Sequence, residues 1–169
     1  AFGSATTTAF VTLLYAVKGW TPVWVPFTAF AVAFMATRIL LGHLPDRLGG
    51  ARVALVSVCI EAAGQALLFF ADNAVVATIG AALTGLGYSL VFPGLGVEAV
   101  RHVAPENRGL ATGTYTAFLD IALGLTSPAL GYAATAAGVP AVFAISALCI
   151  LGAAPVALLL MGAGRTRTR

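Results

Sequence analysis

The sequence predicts an all-α membrane protein, and three observations carry that prediction. Of the 169 residues, 60% are hydrophobic and only 9% are charged, with a mean hydropathy of +0.98. Soluble domains devote about a quarter of their residues to charge, because a water-facing surface requires it. Second, the apolar residues are gathered into runs of roughly 20, the length that carries a helix across a ~30 Å hydrocarbon core. Third, stretches such as 144–160 are apolar all round, whereas a lipid-facing β-strand alternates in segments of about ten. Only helices and closed barrels satisfy their backbones in lipid, so helices remain.

Six runs qualify, at about 1–17, 24–41, 53–71, 75–97, 109–133 and 139–161. The first is short and starts inside an apolar stretch without a methionine, as expected of a piece of a longer protein. Lys18-Gly19-Trp20-Thr21-Pro22 separates it from the second. The polar run Gly42-His43-Leu44-Pro45-Asp46-Arg47-Leu48-Gly49-Gly50-Ala51-Arg52 is expected as a tight charged turn between the second and third. Ala71-Asp72-Asn73, Ala104-Pro105-Glu106-Asn107-Arg108-Gly109 and Gly138-Val139-Pro140 mark the remaining joints, all rich in turn formers. Pro93, Pro128 and Pro155 fall inside expected helices, which membrane helices tolerate. The expected organisation is one transmembrane unit over 1–163 and a basic tail over 164–169.

Basic residues divide by side. The second-third loop, the fourth-fifth loop and the tail hold Arg47, Arg52, Arg101, Arg108, Arg165, Arg167 and Arg169, while the opposite side holds Lys18. The positive-inside rule places the arginine side in the cytoplasm. Six crossings then put both ends there. Trp20 and Trp24 suit the outer interface. The net charge of +3 is thus a matter of topology and does not imply nucleic acid.

Several chemistries are not indicated. Cys59 and Cys149 sit in apolar runs without a C-x-x-C spacing, and are expected as buried small hydrophobes. His43 and His102 are single residues, too few for a metal site. Gly80, Gly85 and Gly87 lie in an apolar run with no strand before it, so helix packing is expected rather than dinucleotide binding. No nucleophile-base pair and no H-E-x-x-H motif is present, so neither an enzyme nor a cofactor is expected.

The loop of form G-x-L-x-D-R-x-G, carried by Gly42, Leu44, Asp46, Arg47 and Gly49, resembles the loop signature of the major facilitator superfamily. Arg38 resembles the arginine often found at the end of the eighth helix of that family. Glu106-Asn107-Arg108-Gly109-Leu110-Ala111-Thr112-Gly113 resembles the start of its eleventh helix. Gly124-Leu125-Thr126-Ser127-Pro128-Ala129-Leu130-Gly131 resembles the G-x-x-x-G-P-x-x-G signature of proton-coupled efflux members, with Ser127 in place of a glycine. Leu90-Val91-Phe92-Pro93-Gly94-Leu95-Gly96-Val97-Glu98 and Tyr115-Thr116-Ala117-Phe118-Leu119-Asp120 resemble the YfcJ/YhhS-type group of arabinose-efflux-like permeases. In the loop, Gly50-Ala51 replaces the usual basic pair. The resemblance implies the six-helix C-terminal half (helices seven to twelve) of a major facilitator fold in the cytoplasmic (inner) membrane. Its implied partners are the N-terminal six-helix half, the lipid bilayer, a small-molecule substrate and protons.

Charges within the apolar runs are functional candidates, because burying them in hydrocarbon is costly. Asp120 lies twelve residues past Arg108, ~18 Å along a helix and near mid-membrane. Gly113, Thr116, Asp120, Gly124, Ser127 and Gly131 recur at spacings of three and four, one small polar face that suits helix packing or a cavity wall. Asp120 is a proton-coupling or substrate candidate, with an interhelical hydrogen bond as the alternative. Glu61 shares a stripe with Ser57 and Gln65. It is expected to pair with a neighbouring helix, Arg38 being one partner, and is the second coupling candidate. Thr8, Thr12 and Tyr15 share a face of the first helix, and Thr84 and Tyr88 one of the fourth. Thr12, Tyr88, Tyr115 and Thr116 join the substrate candidates. Gly42, Asp46, Arg47, Gly49, Arg38 and Arg108 form the conformational loop set, and Gly113, Gly124, Pro128 and Gly131 the helix-packing set.

The expected function is part of a secondary active transporter moving a small solute by alternating access, by proton-coupled efflux. The competing reading is a non-transporting membrane module for assembly or sensing.

Overall fold

The computed structural model describes residues 2–101, 103–155 and 158–159. These form seven α-helices: α1 (Phe2–Lys18), α2 (Trp24–Leu41), α3 (Leu44–Leu48), α4 (Gly50–Phe69), α5 (Ala74–Arg101), α6 (Arg108–Ala137) and α7 (Val139–Leu151). A 3₁₀ turn over Pro105–Asn107 leads into α6. No strand occurs among the described residues. Among the described residues, four stretches are long and apolar enough to cross a membrane: Trp24–Leu41, Gly50–Phe69, Ala74–Val100 and Pro105–Ala137. The shorter α1 and α7 have 17 and 13 residues. His102 and the arginine tail lie outside the described residues.

Local structure departs from the sequence reading in three places. The polar loop is not a simple turn. Gly42 closes α2 with its N–H on Arg38 O (3.1 Å), and Pro45 then starts a one-turn helix, α3. Gly49 ends α3 with its N–H on Pro45 O (3.1 Å), at φ +92°. That left-handed backbone favours glycine, and it turns the chain straight into α4. Second, α5 and α6 run through Pro93 and Pro128 as expected, but their 28 and 30 residues extend beyond the expected 75–97 and 109–133. Third, α7 stops at a Gly152–Ala153 turn, so Pro155 lies beyond a break rather than inside a continuous helix.

The centre of the bundle is α5, which lies along α4 on one side and α2 on another, while α7 covers α4 and α1. The α4–α5 seam is close because glycines line it. A Cβ placed on Gly64 would meet Thr84 N at 2.6 Å and Gly80 O at 2.7 Å, and one on Gly87 would meet Ser57 O at 2.6 Å. Gly85 lies equally close to the backbone of Phe30 in α2. The glycines Gly80, Gly85 and Gly87 are therefore packing residues.

Coverage is uneven. In the most apolar stretch of α4, 50% of residues are buried, but in that of Pro105–Ala137 only 11%. Leu110, Phe118, Ile121, Leu125 and Tyr132 of α6 all stand exposed. Cys59 and Cys149, expected to be buried, are free and exposed on the bundle surface.

Candidate functional site

Polar side chains of four helices meet inside the bundle. Ser57, Glu61 and Gln65, spaced by four on α4, all point inward and are at most 3% exposed. The Gln65 amide donates from Nε2 to Thr7 Oγ1 of α1 (2.9 Å), Thr84 Oγ1 of α5 (3.1 Å) and Gly3 O (3.3 Å). Thr84 donates onward to Gly80 O at 2.9 Å. Beside this group the Thr6 and Ser146 hydroxyls join α1 to α7. Buried amide and hydroxyl groups need such partners, and the bonds lock helix rotation and register.

Two buried oxygens of this group are exceptions: Gln65 Oε1 and Glu61 Oε1 have no hydrogen-bond partner among the described residues. Glu61 is 2% exposed, and its Oε1 lies against Gly3. The expected pairing with Arg38 does not form. Arg38 is exposed near the end of α2, and α2 packs on α5 rather than α4. Glu61 instead lines a cavity of about 250 Å³ together with Tyr88 and Phe92 of α5, Tyr115 of α6, and aliphatic side chains of α4–α7. Tyr115 donates its hydroxyl to Phe92 O (3.1 Å), and their rings lie 5.4 Å apart. Tyr88 lies against Phe34 at 5.8 Å. The structure thus brings together Glu61, Tyr88 and Tyr115, which come from three separate apolar runs.

The other candidates fall elsewhere. Asp120, Thr116, Gly113, Gly124 and Pro128 lie on the uncovered side of α6, and Gly131 is half-buried. A Cβ on Gly113, Gly124 or Gly131 would meet nothing within 4 Å. These glycines therefore do not pack α6 against any described part of this chain, and that role belongs to α4 and α5. Thr116 bonds only its own helix, donating to Thr112 O. Thr12 is exposed. Tyr15 leaves the Thr8–Thr12 face to be buried, donating to Ala74 O at 2.7 Å beside Thr78.

At the loop, Asp46 and Arg47 are exposed. Arg108 reaches back to Val103 O at 3.4 Å. Gly50 starts α4 directly against the backbone of Gly94 in α5. Glu98 of α5 accepts the Ala51 N–H at 3.3 Å, placing a carboxylate at the positive end of α4. The Glu98 contact and the Gln65 network were missed in sequence. The spacing of four from Ser57 to Gln65 was visible, but their partners on α1 and α5 are 58 and 19 residues distant.

A family model described as Major Facilitator Superfamily matches residues 1–169. The chain belongs to the major facilitator superfamily. It is 42% identical to an uncharacterised MFS-type transporter of Pseudomonas aeruginosa strain LESB58, over 95% of this chain and 40% of that protein. It is 46% identical to one of Salmonella typhimurium strain LT2, over 94% of this chain and 41% of that protein. A relative in Burkholderia mallei strain SAVP1 is also 46% identical, over 93% and 38%. No solved structure gives a significant match. The chain spans about 40% of the length of these relatives. They are named as transporters, in keeping with a chain that is a multi-pass membrane protein and not an enzyme.

Within the superfamily loop, the departure at Gly50-Ala51 has a physical cause. A side chain at position 50 would enter the Gly94 backbone, and Ala51 is 5% exposed. Neither position can hold a long basic side chain while α4 and α5 remain this close.

Proposed function

We propose that the chain is the C-terminal six-helix half of a secondary active transporter of the YfcJ/YhhS-type group. It sits in the cytoplasmic membrane with both ends cytoplasmic. With an N-terminal six-helix half it moves a small solute outward by alternating access, in exchange for protons. The observation that carries this reading is the uncovered face of α6. Asp120 lies midway along a 30-residue helix, exposed on a small polar stripe whose glycines Gly113, Gly124 and Gly131 have no described neighbour within 4 Å of an added Cβ. A mid-membrane carboxylate is costly unless it faces a partner or a watery cavity. Superfamily folds place binding and coupling sites at the interface of their repeats. The relatives are more than twice as long as this chain, which leaves room for such a second repeat.

The test uses the full-length protein in proteoliposomes with an imposed pH gradient. Asp120→Asn should abolish proton-driven solute flux while leaving insertion and the size-exclusion profile intact, and Asp120→Glu should keep part of it. Normal flux in Asp120→Asn would remove Asp120 from coupling. Absence of any gradient-driven flux across a broad solute panel would favour an assembly or sensing module.

A further inference from the structure

We infer that the cavity around Glu61 binds a compact organic cation, an ammonium-bearing solute with an apolar or aromatic body. This deepens the transport reading by naming a substrate class. It stands on four observations about a site distinct from the Asp120 face.

First, Glu61 is buried and lines the cavity, and no basic side chain lines it among the described residues. An ionised carboxylate in such surroundings is strongly unfavourable unless a cation accompanies it. Second, the walls are aromatic where a cation would gain from them. Tyr88, Phe92 and Tyr115 line the same space, and a cation over an aromatic face is attracted by the ring quadrupole, more so when desolvated. Third, apart from the Cys149 thiol the remaining lining is aliphatic, so an apolar body is accommodated and an anion or a sugar finds too few donors. Fourth, the cavity is about 250 Å³, just below the roughly 300–1,000 Å³ of ordinary ligand pockets. A proton alone needs neither that volume nor three rings. The neighbouring Gln65 does not line this cavity; its Nε2 donates to Thr7, Thr84 and Gly3 and holds the α4 stripe in register, so Glu61 is the charged group of the lining.

The experiment is equilibrium binding of labelled phenyltrimethylammonium to the full-length protein in detergent. Transport is not required, so the cation site and the transport reading fail separately. Saturable binding is expected, displaced by benzylammonium and not by benzoate. Glu61→Gln should weaken it at least about tenfold, and Glu61→Asp less. Leu119→Trp fills the cavity with Glu61 left in place and should also block binding. If Glu61→Gln fails to fold, Leu119→Trp carries the test. Occupancy has a second readout, because Cys149 lines the cavity and is exposed. In a variant with Cys149 as its single cysteine, phenyltrimethylammonium should slow N-ethylmaleimide labelling, and benzoate should not. The inference is overturned if wild-type protein shows no saturable binding, if benzoate competes equally, or if the folded Glu61 and Leu119 variants bind as wild type.

Discussion

Replacing Gly64 by alanine adds one methyl group at a tight point in the middle of the α4–α5 seam. The new Cβ would lie 2.6 Å from Thr84 N and 2.7 Å from Gly80 O. Both are backbone atoms and cannot rotate away. Ordinary contact begins at 3.4 Å, so the helices must separate by ~0.8 Å or slide. A gap of that size forfeits a quarter to a half of the dispersion attraction along the seam, and overpacking of this kind costs about 1–3 kcal/mol. Alanine recovers at most about 1 kcal/mol through its better helix propensity, so the net change remains destabilising. The shift would also move Thr84 off the Gln65 amide, which it now meets at 3.1 Å. In the detergent-solubilised full-length protein, the midpoint of thermal loss of the monodisperse size-exclusion peak should fall by several degrees. A midpoint equal to or above that of wild type would refute the close-approach argument, since propensity alone would then decide.

Three further predictions test other parts of the structure. Gly50→Lys, which restores a basic residue in the superfamily loop, should lower the same thermal midpoint by an amount equivalent to about 1–3 kcal/mol, because its Cβ enters the Gly94 backbone; unchanged stability would mean the α4–α5 contact there is not close. Tyr15→Phe removes the bond to Ala74 O and should cost about 0.5–1.5 kcal/mol, read as a smaller midpoint shift than Gly64→Ala gives. In otherwise cysteine-free full-length protein, a cysteine at Gly19 should react with an impermeant maleimide added outside intact cells and one at Gly49 should not. The reverse pattern would invert the proposed topology.

The Gly42–Arg52 segment and the α6 stripe show how far the sequence could be read. The loop residues were recognisable from their order, because turn and cap positions are local. Gly42, Pro45 and Gly49 act through atoms within four residues of themselves. The reason for Gly50 was not legible, because it depends on Gly94, 44 positions later on another helix. On α6 the spacing of Gly113, Thr116, Asp120 and Gly124 identified a small polar face. It could not say whether that face is covered, and among the described residues nothing covers it.

The same division holds for the whole molecule. Composition and the lengths of the apolar runs determined an all-α membrane protein by themselves, because the solvent and the backbone's demand for internal hydrogen bonds leave a bilayer chain few alternatives. Which polar residues meet was decided by tertiary structure alone. Glu61 was expected to pair with a neighbouring helix, Arg38 being one candidate partner, yet α2 packs on α5 and leaves that arginine exposed. Glu61 shares its cavity instead with Tyr88 and Tyr115. Helical periodicity fixes which residues share a face of one helix. It does not fix which face of which helix lies opposite, because that depends on where glycines let backbones approach, and those partners are far apart in the chain.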